Sequence, residues 1–213
     1  MNIQLSDHFN YKKLFLFTLP SVVMMVFTSV YCVVDGFFVS NFAGKTAFAA
    51  INLIMPFIMI LGGIGFMIGT GGSALVSYTL GTGDKEKANR YFSMLVYFTI
   101  LAGILLTVLG IIFVRPIAEL FGADESMMDT CVLYGRIVIA FNAAFMLQNI
   151  FQSFFVVAEK PRLGLIVTIA AGVTNMVLDA LFVGVFKWGT VGAALATGIS
   201  HSIGGLLPLL YFA

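Results

Sequence analysis

The stretch Leu14 to Ser40 reads LFLFTLPSVVMMVFTSVYCVVDGFFVS and carries a single charge, Asp35. A hydrocarbon core roughly 30 Å thick takes about 20 apolar residues per helical crossing, so this run is long enough to span a bilayer as one helix. Strict apolar-polar alternation over segments of about ten residues, the mark of a transmembrane barrel, is absent from it. Inside a bilayer every backbone polar group must be satisfied internally, and a helix does so within one segment.

Working outward, five more apolar segments follow: Phe48 to Leu80, Tyr91 to Val114, Met127 to Val157, Leu163 to Phe186 and Gly189 to Phe212. Short charged or turn-rich gaps separate them, including Gly81 to Arg90 and Arg115 to Ser126. The expectation is an all-α membrane protein, a single six-helix transmembrane bundle over residues 1–213. Composition agrees, since 60% of residues are hydrophobic, 10% are charged and the mean hydropathy is +1.04. That leaves too little polar surface to cover a water-soluble globule. The formal net charge is +1 and the basic residues are dispersed, so no nucleic-acid partner is expected; the implied surroundings are membrane lipid.

Lys12, Lys13, Lys85, Lys87, Arg90, Lys160 and Arg162 fall on one side of the bundle, against Lys45, Arg115 and Lys187 on the other. This bias predicts a cytoplasmic amino terminus in a multi-pass protein of the plasma (inner) membrane. Asp7, His8, Lys12 and Lys13 precede the first long apolar run without a small-residue cleavage site, so that run reads as a retained helix rather than a signal peptide. Arg136 is the remaining cation and lies inside the fourth segment. Cys32 and Cys131 sit within apolar runs and read as small hydrophobes, not as a disulfide.

Small residues recur every four positions at Gly65, Gly69 and Ser73, and at Gly192, Ala196, Ser200 and Gly204, which predicts close helix contacts. Pro20 and Pro56 each remove a helical hydrogen bond, so kinks are expected there. VVDGFFVSNF at Val33 to Phe42 is echoed by VLDALFVGVF at Val177 to Phe186, hinting at equivalent roles for the first and fifth segments.

Among ten acidic residues, only Asp35 and Asp179 lie well inside apolar segments. An aspartate at a helix centre costs about 2.5–3.5 kcal/mol on insertion scales and ordinarily faces a cavity, a partner or a transported ion. Counting about 1.5 Å per residue places Asp35 roughly 8 Å, Asp179 roughly 10 Å, Thr197 roughly 12 Å and Tyr134 roughly 10 Å from the predicted outer ends of their helices. Asn175 precedes Asp179 by one turn on the same face. Two carboxylates in a poorly hydrated pocket readily take up a proton, and hard oxygen ligands from Asp35, Asn175, Asp179 and Thr197 suit a sodium ion instead. The fourth segment adds Asn142, Gln148, Asn149 and Gln152 to Tyr134 and Arg136. One face of it lines a cavity or bonds neighbouring helices, with Asn142, Asn149 and Gln152 as candidate substrate contacts. The 11 Met and 22 Phe residues read mainly as lipid-facing or packing groups, although thioethers and aromatic faces suit varied organic cations. His201 stands alone and is assigned no role.

VVDGFFVS around Asp35, LGTGDKEKANRYF, LFGADESMMDTCVLYGRI, EKPRLGL, TNMVLDALFV and GTVGAALATGIS appear in register with the six segments. In that order they resemble the amino-terminal lobe of MATE (multidrug and toxic compound extrusion) transporters. The resemblance implies a non-enzymatic antiporter that exports cationic amphipathic drugs or toxins against sodium ions or protons. It implies that Asp35, Asn175, Asp179 and Thr197 form the coupling-ion site, with Tyr134 beside it and Pro20 at a helix bend. No cofactor is implied beyond a coupling sodium. Members of that family have twelve helices, so the expected partner is a second six-helix lobe, either the remainder of a longer gene product or a second copy. The alternatives are half of a lipid-linked oligosaccharide flippase, which the scarcity of basic residues beyond Arg136 disfavours, and a non-transporting membrane interaction subunit.

Overall fold

The computed structural model describes residues 10–212, so Asp7 and His8 lie outside the described residues. Among the described residues seven α-helices follow one another: α1 (Tyr11–Phe38), α2 (Lys45–Gly81), α3 (Lys85–Leu120), α4 (Glu125–Ala140), α5 (Asn142–Val157), α6 (Pro161–Asp179) and α7 (Gly189–Phe212). No strand occurs among the described residues. Two short π-helical runs, Val39–Ala43 and Ala180–Val185, extend α1 and α6. Five spans are long and apolar enough to cross a membrane, and the bent pair α4–α5 makes a sixth.

Helix ends follow local chemistry. The Asn10 side chain accepts a hydrogen bond from the Lys13 amide, Asp84 from Lys87 and Asp124 from Met127, capping α1, α3 and α4. Pro161 opens α6, where its missing N–H is no loss. Gly44, at φ +96°, turns the chain from the π-helical run into α2 in a conformation that L side chains rarely adopt.

The observed helices overrun the apolar segments. The expected Tyr91 to Val114 becomes α3, Lys85–Leu120, because hydrophobicity marks the lipid-embedded portion while charged turns continue the helix into water. Arg115 and Glu119 pair one turn apart at 3.6 Å on that extension. The fourth segment departs more sharply, because the single helix expected over Met127 to Val157 is two helices meeting at 54°. At the joint, the Phe141 amide donates to Val138 O, a tightened turn that ends α4. The Phe141 ring fills the space beside Gly198 on α7, where any Cβ would collide with it. α1 and α2 continue as helices through Pro20 and Pro56.

α2 lies centrally, packed on α5, α3 and α4, while α1 pairs with α6 and α7 packs on α5, α6 and α4. A Cβ on Gly65 would stand 2.6 Å from Met146 Cα, so glycine lets the α2 and α5 backbones meet. Gly205 plays the same part for α7 against Ala144, and Gly192 against Phe182. Two apolar cores result. One, around Ile54, Val114, Cys131 and Ile139, lies toward the end of the bundle bearing the Gly44 and Gly122 turns. The other, around Ile150, Phe151, Phe154 and Phe155, lies toward the Gly83 turn. Leu101, Ile104, Leu105, Val108 and Ile112 leave α3 with an exposed aliphatic face. On a helix this apolar, such a face is suited to lipid. The chain is a multi-pass membrane protein.

Candidate functional site

Asp35 and Asp179 enter the bundle from α1 and α6, the helix pair that packs side by side. Their carboxyl groups are electrostatic neighbours inside the bundle. Tyr134 from α4 and Thr197 from α7 stand against the same pair. Asn175 lies one turn before Asp179 on α6 and is buried.

These side chains share an unusual property. Asp35 Oδ1, Tyr134 Oη, Asn175 Oδ1, both carboxylate oxygens of Asp179 and Thr197 Oγ1 are sealed from solvent and accept or donate no hydrogen bond within the described chain. Buried polar atoms are nearly always satisfied, and each one left bare costs about 1–3 kcal/mol, more for a charged group. Apart from these six, the described residues hold only Thr107 Oγ1 and Asn142 Oδ1 in the same condition. Five residues from four helices thus contribute these oxygens. Oxygens of this kind are chemically suited to a small hard cation or to a shared proton.

Beside the cluster opens a cavity of about 670 Å³, with Asp35, Tyr134, Asn175 and Thr197 in its wall. Its volume suits a drug-sized molecule. α1 supplies one wall through Ser21, Met24, Thr28, Tyr31 and Cys32, residues spaced three and four apart on the face that ends at Asp35. Met55, Met59 and Phe66 of α2 make the facing surface flexible and polarizable. These methionines are exceptions to the main reading of that residue type as a lipid-facing or packing group.

α5 contributes Asn149 and Gln152 to the wall, together with Gln148. Asn149 Nδ2 donates to Gly62 O at 3.1 Å, which fixes the amide against α2. Asn142 does not reach the cavity. As the first residue of α5 it is carried into the core by the bend, where its Nδ2 lies 3.5 Å from Met146 Sδ. Pro20 is buried on α1, one residue before the cavity-lining Ser21. Arg136 is exposed on the surface of α4.

Two residues of the wall are not singled out by the sequence. Cys32, one turn before Asp35, faces the cavity, whereas Cys131 is fully buried and donates to Ala50 O. His201, one turn beyond Thr197, also lines the cavity. An alternation of polar and apolar residues at helical spacing along α1 and α7 carries both.

A bundle of membrane-crossing helices around a large cavity, with Asp35 in its wall, defines the class of polytopic α-helical membrane proteins. The MatE family model matches residues 20–181, and the chain belongs to the MATE family. It is 26% identical over 202 residues to the multidrug export protein MepA of Staphylococcus saprophyticus, covering 95% of this chain and 45% of that protein. MepA of Staphylococcus haemolyticus is 25% identical with the same coverage. Among solved structures, a multidrug resistance MATE family transporter of the MOP superfamily in its outward-facing conformation superposes with a TM-score of 0.87 at 22% identity. That match covers 94% of this chain and 44% of the other, and a MATE crystal structure in the straight conformation gives the same TM-score, identity and coverage. The chain spans about half the length of the relatives it matches.

Proposed function

We propose that this chain forms the ion-coupling lobe of a secondary antiporter that exports cationic, amphipathic organic compounds in exchange for sodium ions or protons. The observation that carries the reading is the set of six bare, buried oxygens on Asp35, Tyr134, Asn175, Asp179 and Thr197. Asp35, Asn175, Asp179 and Thr197 coordinate the incoming ion, or the two carboxylates share the incoming proton, and Tyr134 closes the site. The adjacent cavity, walled by thioethers, aromatic rings, Asn149 and Gln152, holds the organic cation.

The coupling follows from charge. While the carboxylates lack an ion or proton, their negative field attracts an organic cation into the cavity. Binding of sodium or a proton cancels that field and weakens the hold on the cargo. Alternation between the two occupancies, with the lobe opening to opposite sides, gives exchange. The lobe works against a second six-helix unit, supplied by the same gene product or by a second copy. The basic residues at Lys12, Lys13, Lys85, Lys87, Arg90, Lys160 and Arg162 orient the chain in the plasma membrane with its amino terminus in the cytoplasm.

The test is drug resistance and ethidium efflux in cells expressing the full open reading frame. Asp35→Asn and Asp179→Asn should each abolish both while membrane abundance stays constant. Wild-type efflux in both variants would refute the assignment.

A further inference from the structure

His201 lies one helical turn past Thr197 on the same face of α7, roughly 18 Å along that helix from Gly189, and lines the same cavity as Asp35. Its ring stacks on Phe145, with centroids 4.3 Å apart and planes inclined at 27°. Its Nδ1 lies 2.9 Å from Gln148 Oε1. The amide of Gln148 is wedged against α7, since a Cβ on Gly204 would fall 2.6 Å from its Cδ.

An amide oxygen only accepts, so Nδ1 carries the hydrogen and donates to Gln148. Among the described residues Nε2 makes no hydrogen bond, and His201 lines the cavity. Among the described residues the hydrogen-bond partner of the imidazole is this neutral amide. Held between Phe145 and a neutral amide, the ring has nothing to support a second proton. Nε2 therefore presents a lone pair to the cavity.

We propose that His201 Nε2 is a specificity-determining acceptor for the N–H of a protonated amine, so that the cavity selects primary to tertiary ammonium ions over quaternary ammonium ions of similar size. This inference rests on the reading of the cavity as a cation site. The carboxylates attract both kinds of cation alike, because Coulomb attraction depends on charge and distance. The Met and Phe walls also treat them alike. A directional lone pair does not, since a quaternary nitrogen has no hydrogen to give and, once bound, covers the acceptor without satisfying it. A hydrogen bond from a charged donor then sets a preference of about tenfold or more.

The experiment measures equilibrium binding to the full gene product in lipid nanodiscs by fluorescence polarisation. The probes are a naphthalene fluorophore bearing a dimethylammonium-alkyl chain and its trimethylammonium analogue. The wild type should favour the dimethylammonium probe about tenfold. His201→Phe should bring the two affinities together, with the loss falling on the dimethylammonium arm. Gln148→Leu, which frees Nδ1 and lets the ring turn, should narrow the preference and decides the matter if His201→Phe does not purify as a monodisperse species. Asp35→Asn should weaken both probes alike. Equal wild-type affinities, or a tenfold preference surviving in a folded variant, overturn the inference while leaving the cation site standing. A wild type that binds neither probe overturns both.

Discussion

Asp35 and Asp179 each stand in the last α-helical turn before a run of π-helical backbone, Val39–Ala43 after the first and Ala180–Val185 after the second. Both halves of the echo between VVDGFFVSNF and VLDALFVGVF thus contain a π-helical run, on two adjacent helices. A π-helical turn widens the helix and leaves carbonyls poorly paired, and such turns cluster at functional sites. In this bundle each such run follows one of the two aspartates, on helices that pack against each other.

Sodium and protons should therefore compete for one site. Isothermal titration of the full gene product with NaCl should show binding heat that varies with the ionisation enthalpy of the buffer, because each bound sodium displaces a proton. The apparent sodium affinity should fall as pH is lowered. Asp179→Asn should remove most of both effects, and Asn175→Ala should weaken sodium about tenfold, the loss of one ligand bonded to a charged species. Heat independent of buffer would show that the carboxylates do not exchange a proton for the ion.

Glycine placement predicts a contrast in stability. A Cβ at Gly65 would meet the Met146 backbone at 2.6 Å, and backbone cannot swing aside, whereas a Cβ at Gly63 meets nothing within 4 Å. Gly65→Ala should destabilise the bundle by about 1–3 kcal/mol through overpacking. Gly63→Ala, on the same helix two residues away, should be neutral or should stabilise by about 0.5–1 kcal/mol, since alanine is the better helix former. Thermal unfolding followed by tryptophan fluorescence of Trp188 in detergent would compare the two. Equal melting temperatures for the two variants would contradict the close approach of α2 and α5.

Much of this site is legible in the amino-acid order because a carboxylate in oil is conspicuous. Asp35 and Asp179 stand out from apolar runs, and helical rise alone brings Thr197 and Tyr134 to their level. Cys32 and His201 escape notice for the opposite reason, being residues common in helix interiors whose meaning comes from the wall they share. The bend at Phe141 has no proline or glycine to announce it. It arises from a tightened turn and from the contact with Gly198 on another helix, which only tertiary packing reveals. A place for Asn142 in the cavity presumes one straight helix, and the bend removes it.

The two thiols should differ in reactivity by location. Cys32 lines the cavity one turn from Asp35, while Cys131 is buried with its Sγ 3.3 Å from Ala50 O. In membranes, a cationic methanethiosulfonate should modify Cys32 several-fold faster than an anionic one of similar size, drawn by the neighbouring carboxylate. Cys131 should stay unmodified until the protein is denatured. Mass spectrometry of labelled peptides gives both rates, and modification of Cys131 ahead of Cys32 would contradict the packing of α4 on α2.

Outside the membrane-spanning segments, Asp124 offers a pH-dependent cap. Its Oδ1 accepts from the Ser126 hydroxyl at 2.7 Å and from the Met127 amide at 3.0 Å, at the start of α4. These bonds, above all the one from Ser126, hold the carboxyl below its usual range. A folded-state value below the unfolded one means that the cap contributes fully above the ordinary carboxylate value of about 3.9 and is lost as pH falls through the lower, folded value. Hydrogen exchange over Glu125–Met128, corrected for the intrinsic pH dependence, should show steady protection at neutral pH and a drop only in that acidic window. Asp124→Ala should lack this protection at every pH, whereas Asp124→Asn, whose amide oxygen also caps, should keep it without the acid-dependent loss. Protection in the Asn variant that fell with acid like the wild type would place the titrating group elsewhere in the turn.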